Sequence, residues 1–185
     1  MKNKTKIFFD TEFTGLEQKT SLISIGLITE TGYQFYAELT DYNKNSIDEW
    51  LQINVVDNLW LKKLGTEIKE HNLTTVKGDI ETVRKALQTW LSGMGEIEMW
   101  SDCLSYDWVL FNNIWGHAFK IPKCIYYIPF DICTLFKTKG IDPDISREKY
   151  AETEGNADNK HMALYDAIII KLCYEKLIST NYVEL

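Results

Sequence analysis

Residues Ile7-Phe8-Phe9-Asp10-Thr11-Glu12-Phe13-Thr14-Gly15-Leu16 run an apolar stretch into two carboxylates two positions apart, and a Thr-Gly turn follows at once. Side chains on a β-strand alternate between faces, so Asp10 and Glu12 project together and Thr11 turns away. Two carboxylates held that close repel each other unless a cation lies between them. The stretch therefore predicts a first strand carrying part of a divalent-metal site, whose remaining ligands must come from further along the chain.

Beyond this strand, Ser21-Leu22-Ile23-Ser24-Ile25-Gly26-Leu27-Ile28 is apolar and β-branched enough for a central strand, Glu30-Thr31-Gly32 reads as a turn, and residues 33–39 read as a third strand. The first forty residues thus predict a β-meander. Residues 40–75 are less patterned, with a short glycine-ended helix expected over 57–65. After Asp79, the residues Ile80, Val83, Leu87, Trp90 and Leu91 recur at helical spacing, with Gly93 closing the run. A fourth strand is expected around Ile97 and Met99, an apolar helix over 106–115, and a fifth strand over 125–128. Asp131 is placed to cap a helix through Phe136. A polar helix over 147–154 and a loop over 155–160 lead to a last helix over 162–177, with Ile168, Ile169, Leu172 and Cys173 turned inward. A meander followed by alternating helices and strands implies an α/β fold, a mixed sheet flanked by helices, in a single domain over 1–185.

Composition narrows the function. Hydrophobic residues make up 45% of the 185, which excludes a disordered chain. The formal net charge of −7 argues against a protein that coats nucleic acid or anionic membrane, yet metal ions in a carboxylate site can reverse the local sign. Arg84 and Arg147 are the only arginines, so phosphate contacts fall to lysines, backbone amides or metals. Cys103, Cys124, Cys133 and Cys173 form no C-x-x-C pair, and the Lys-rich N-terminus enters the first strand without a signal peptide. Reduced thiols in the cytoplasm are expected. No apolar run approaches the roughly 20 residues of a membrane span.

A D-x-E pair alone carries little information, because 12 Asp and 15 Glu among 185 residues produce roughly one by chance. Asp79-Ile80-Glu81 is such a pair, but at a helix start its carboxylates lie about 200° apart and read as a cap and a first-turn acid. Asp10 and Glu12 gain meaning from their strand and from two later features. His161 precedes Asp166 by five positions. Within one helix they would lie about 140° apart, so the geometry suits His161 in or just after the polar loop and Asp166 on the first turns of the helix. Asp166 sits in an apolar stretch where an unpaired carboxylate is costly; a solvated loop histidine is the competing reading of His161. Asp107 heads a helix apolar enough to be buried, and a buried aspartate needs a cation or capping amides. Asp102, just past the fourth strand, is the alternative ligand.

Asp10-Thr11-Glu12 with Thr14-Gly15-Leu16, then Tyr106-Asp107 opening an apolar helix, then His161-x4-Asp166, resemble the three motifs of the DEDDh 3′-to-5′ exonucleases, in order and over residues 7–170. That superfamily includes oligoribonuclease, ribonuclease T and the proofreading subunits of DNA polymerases. The Phe-Asp-Thr-Glu-Phe, Ile-Ser-Ile-Gly and Ser-Tyr-Asp-Trp segments are most similar to its small bacterial and phage exoribonuclease-like branch. Met162 stands where the tyrosine variant of the family would need Tyr, and the Trp-x-Leu-Phe sequel favours Asp107 over Asp102.

The resemblance implies a ribonuclease H-like fold and a hydrolase that releases nucleoside monophosphates from the 3′ end of single-stranded nucleic acid or an overhang, with RNA ahead of DNA. It implies two Mg²⁺ or Mn²⁺ ions on Asp10, Glu12, Asp107 and Asp166, and His161 as general base. Hard cations with oxygen ligands fit four carboxylates. Thr11, Phe13 and Leu16 are expected at the substrate, the last two stacking on or wedging between bases from the turn; core packing is the competing reading of both. Related small exonucleases are commonly dimers, so a homodimer is expected, and no membrane partner. The alternatives are a proofreading-type DNA exonuclease, a non-catalytic nucleic-acid-binding module on the same fold, and a haloacid dehalogenase-type phosphatase. The phosphatase would need Asp at position 12 and leaves His161-x4-Asp166 unexplained.

Overall fold

A computed structural model of the chain describes residues 4–61, 68–70, 72–153 and 161–179. The first strand, β1 (Thr5–Phe13), buries Ile7, Phe8 and Phe9 in succession, as a strand covered on both faces must. It pairs antiparallel with β2 (Leu22–Thr29), which in turn pairs antiparallel with β3 (Gln34–Leu39), completing the expected meander. Beyond the meander, β4 (Ile68–Glu70) and β5 (Leu73–Gly78) form a hairpin docked parallel on β3. On the other side β6 (Ile97–Ser101) lies parallel to β1 and β7 (Phe130–Asp131) parallel to β6. Among the described residues the result is a seven-stranded mixed sheet of order β4-β5-β3-β2-β1-β6-β7.

A short helix, α1 (Glu49–Asn54), follows the meander. Ile7 and Phe9 face α2 (Ile80–Leu91) and α3 (Ser105–Ile114), meeting Val83, Leu87, Leu110 and Phe111. On the opposite face Phe8 meets α4 (Ile132–Thr138) and α6 (Ala163–Ser179) through Ile132, Phe136, Ile170 and Cys173. Between these two helices α5 (Arg147–Tyr150) makes a single turn. Asp79 and Asp131 cap α2 and α4 as predicted, each accepting a backbone N–H at 2.8 Å.

Three local expectations change. Ile125 makes only a bridge to Ile97, its N–H being turned back to the Pro122 carbonyl at 2.9 Å, and β7 lies at residues 130–131. The polar helix stops at Tyr150, two residues before Glu152 takes φ +60, and its expected end at Glu154 and the loop over 155–160 lie outside the described residues. Within 57–65, residues 56–58 form one 3-10 turn, and the Leu61 N–H donates to the Glu38 carboxylate rather than to a helical carbonyl; residues 62–65 lie outside the described ones.

One glycine decides where α6 sits. Asp10 lies opposite Gly26 in the β1–β2 register, so both face α6. A Cβ on Gly26 would meet the Leu164 backbone at 2.3 Å. The bare strand is what lets the start of α6 descend beside Asp10. Gly26→Ala is expected to cost about 3 kcal/mol or more, since backbone rather than a side-chain tip must give way. Chemical denaturation checks this, and an unchanged unfolding midpoint would contradict it.

Candidate active site

Period-two alternation along β1 puts Asp10 and Glu12 on the α6 face and Thr11 on the α3 face. The seat of α6 on Gly26 brings Asp166 to them from its first turn. Asp10, Glu12 and Asp166 each place a carboxylate oxygen within 4.8 Å of the others. Immediately before the helix, His161 adopts φ +66, a left-handed conformation uncommon outside glycine. Its N–H donates to Asp166 Oδ2 at 3.0 Å, so Asp166 holds the histidine backbone as well as facing the other acids. His161, Asp10, Glu12 and Asp166 line one cavity of about 370 Å³. The structure thus brings together the first and third sequence motifs, with His161 off the helix and Asp166 on it as the spacing required.

Asp107 approaches from the opposite face of the sheet. It is buried in the first turn of α3, where Oδ1 accepts from the Thr11 hydroxyl and Oδ2 from Ser101 Oγ at 2.7 Å. Thr11, expected at the substrate, is among the residues lining the cavity, while its buried hydroxyl turns to Asp107 because it occupies the odd-numbered side of the strand. Asp107 remains an electrical member of the cluster. Burial, then the charges of Asp107, Asp166 and Glu12, hold the Asp10 carboxyl well above the ordinary carboxylate range. Burial followed by Asp166 and Asp107 pushes Glu12 up to about 8. Burial also raises Asp107 to about 7, against the lowering effect of the Thr11 and Ser101 hydroxyls. Such a cluster opposes its own ionisation and gains from positive charge brought among its oxygens.

Asp102, the alternative to Asp107, has a different partner. Its Oδ2 accepts from Arg147 Nε at 2.8 Å, and Arg147 in turn donates to the carbonyls of Pro143 and Ile145. The pair ties α5 to the end of β6 and closes one wall of the cavity. Asp102 is also the weakest of the four charges acting on Asp10, and Asp107 the strongest.

The turn after β1 forms a second pocket of about 400 Å³ that shares Glu12 with the first and is walled by Phe13, Leu16 and Trp50. Gly15 takes φ +154, a region open to glycine, and Leu16 beyond it is 77% exposed. Phe13 stacks on Tyr106 with ring centres 5.4 Å apart, so one face of its ring belongs to the core. Trp50, from α1, is half exposed and meets the His161 ring edge-on at 5.0 Å. Sequence reading missed it; a tryptophan among the polar residues of Glu49-Trp50-Leu51-Gln52 was the available signal.

Residues 5–178 match the 3′-5′ exoribonuclease Rv2179c-like domain family. Two curated relatives from Mycobacterium tuberculosis, the 3′-5′ exoribonuclease Rv2179c of strain ATCC 25618 / H37Rv and the 3′-5′ exoribonuclease MT2234.1 of strain CDC 1551 / Oshkosh, are each 25% identical over 137 residues. The aligned part is 73% of this chain and 76% of each relative. Among solved structures, the Neurospora crassa Pan2 catalytic unit (protease and nuclease domain) superposes with a TM-score of 0.51 at 17% identity, which bears on the fold alone. The overlap covers 95% of this chain and 27% of that one. No helix among the described residues is long and apolar enough to cross a membrane. The family match runs through both the strands and the helices that carry the acidic cluster, and the chain belongs to the Rv2179c-like 3′-5′ exoribonuclease domain family, with a ribonuclease H-like fold.

Proposed function

We propose that this protein shortens single-stranded RNA from its 3′ end, releasing nucleoside monophosphates, with two Mg²⁺ or Mn²⁺ ions held by Asp10, Glu12, Asp107 and Asp166. The observation that carries this reading is the convergence of Asp10, Glu12 and Asp166 in the cavity lined by His161. An all-oxygen donor set that resists ionisation by itself suits hard divalent cations. When bound, the ions supply positive charge to the scissile phosphoryl group and to the departing 3′ oxygen. His161 acts as general base and takes a proton from the attacking water. The water oxygen bonds to phosphorus as the bond from phosphorus to the 3′ oxygen breaks; that oxygen takes a proton from solvent, and His161 returns to solvent the proton it accepted. Leu16 and Trp50 flank the terminal base in the adjoining pocket, where a flat ring and an aliphatic wedge accept any base. Phe13 supports that wall from its stack on Tyr106.

RNA is preferred in this reading because both curated relatives bear the name exoribonuclease. A cytoplasmic setting accords with four free cysteines. A homodimer completes the reading and is checked by sedimentation at micromolar concentration.

The decisive experiment incubates the protein with 5′-labelled single-stranded RNA and DNA in Mn²⁺, in Mg²⁺ and in chelator. A ladder shortening from the 3′ end of RNA, present with metal and absent with chelator, is expected. RNA left intact in both metals would overturn the proposal, and DNA degraded faster than RNA would reverse the substrate preference.

The raised carboxyls add a stability prediction. A group whose folded pKa lies above its unfolded value favours the fold while protonated and loses that contribution as pH rises. For Glu12 the window runs from about 4.5 to about 8. Metal-free protein is therefore expected to melt at a lower temperature at pH 8 than at pH 5. Added Mn²⁺ should raise the pH 8 midpoint by several degrees and the pH 5 midpoint by less, because protons compete for the ligands. Calorimetry with and without metal reads both; equal metal stabilisation at the two pH values would count against the ligand assignment.

A further inference from the structure

Glu38 is a fully buried carboxylate on β3, outside the acidic triple. The strand registers pair Glu12 with Ser24, Ser24 with Glu38, and Glu38 with Lys77, so the four residues form one row across four strands on the α6 face. At the far end of this row the carboxylate has a cation of its own: Lys77 Nζ lies 2.8 Å from Glu38 Oε2. The Leu61 N–H donates to Glu38 Oε1 at 2.7 Å and the Tyr36 hydroxyl at 3.1 Å. Lys77 also donates to the Leu61 carbonyl. Both backbone groups of Leu61 are thus gripped by one ion pair, its carboxylate fully buried and its lysine partly so.

Burying such a pair adds little to stability, since apolar residues of similar volume serve as well. What it fixes is the path of the backbone at Leu61, and with it the residue before. Trp60 packs its ring on Tyr36 with centres 4.7 Å apart, and its indole N–H donates to Met162 Sδ at 3.4 Å. Met162 adjoins His161, and the Met162 carbonyl accepts the Asp166 N–H at 3.1 Å. The histidine is therefore held at its ring by Trp50 and through its neighbour by Trp60, at a backbone conformation that needs support.

We propose that Trp60, seated by the Glu38–Lys77 pair, is a positioning residue for His161: it fixes Met162 and thereby aims the imidazole at the acidic cluster. The proposal rests on the reading of His161 as general base. Trp60→Phe keeps a ring on Tyr36 and removes the N–H; it is expected to lower kcat about 10-fold, with the KM for a short RNA unchanged within about twofold, as for a misaimed catalytic group. Trp60→Ala also removes the ring and should cost about 100-fold in folded protein. Trp60→Phe keeps the test decisive if the alanine variant does not fold. In a His161→Ala background neither substitution should slow single-turnover cleavage further, since residues acting as a unit are not additive. An unchanged kcat in Trp60→Phe, or an equal loss in the His161→Ala background, would overturn the positioning role. A full rate in His161→Ala alone would instead overturn the base assignment beneath it.

Discussion

Replacing Asp10 with asparagine is expected to lower metal-dependent hydrolysis by about 10³-fold or more while raising the melting temperature of the metal-free protein at pH 8. Both effects have one cause. Asp10 is the residue on which the other carboxylates act most broadly: Asp107, Asp166, Glu12 and Asp102 all raise its pKa on top of its burial. Asparagine keeps the shape of the side chain but removes the charge, so the remaining acids lose a repulsive neighbour and the cations lose a ligand. Stability is gained where function is lost, as expected of a site strained for its task. Elsewhere in the fold, acids already have cations from the chain: Asp102 has Arg147 and Glu38 has Lys77. Asp102→Asn is therefore the informative comparison: burial raises this carboxyl too, against the lowering effect of Arg147, but the substitution strands the Arg147 guanidinium and should lower the metal-free melting temperature. Steady-state rates at saturating Mn²⁺ and calorimetry in chelator check the contrast. Near-normal turnover in Asp10→Asn would remove it from the ligand set, and a fall in its metal-free melting temperature would remove the repulsion argument.

The parts of this architecture that sequence makes legible are those set by short-range periodicity. The meander strands show as continuous apolar, β-branched runs, α3 and α6 as apolar segments, and α2 through its 3.6-residue period, while period two put Asp10 and Glu12 on one face. What sequence conceals is set by pairing at a distance. The β5 strand joins β3 in parallel from more than thirty residues away, and Leu73-Thr74-Thr75-Val76-Lys77-Gly78 lacks the apolar density of a central strand. Its Lys77 is informative only once it is known to lie beside Glu38. What distinguishes Asp102 from Asp107 is its ion pair with Arg147, forty-five positions further on. Thr11 shows a contact that sequence does not reveal: it lies between two cluster carboxylates, and the strand that aims those two together aims the Thr11 hydroxyl at Asp107 on the other face. Trp50 and Trp60 were hidden for the same reason, since each acts on His161 or Met162 across about one hundred residues.

Removing the imidazole of His161 should slow hydrolysis by about 10²–10⁴-fold, the range of a lost general base. Binding of metal, read as the Mn²⁺-dependent rise in melting temperature, should persist, because the proposed ligands are carboxylates and not the imidazole. The backbone at this position makes the choice of variant consequential. At φ +66 a side chain crowds its own backbone, and alanine keeps that cost while losing every contact of the ring. Glycine adopts the same conformation freely. His161→Gly should therefore be at least as stable as His161→Ala, and both should lose the same catalytic factor. The pair separates chemistry from geometry. Full activity in either variant would remove His161 from the mechanism. A loss in the alanine variant that glycine restores would trace the defect to backbone strain next to Asp166, whose Oδ2 holds the His161 N–H, and not to the missing base.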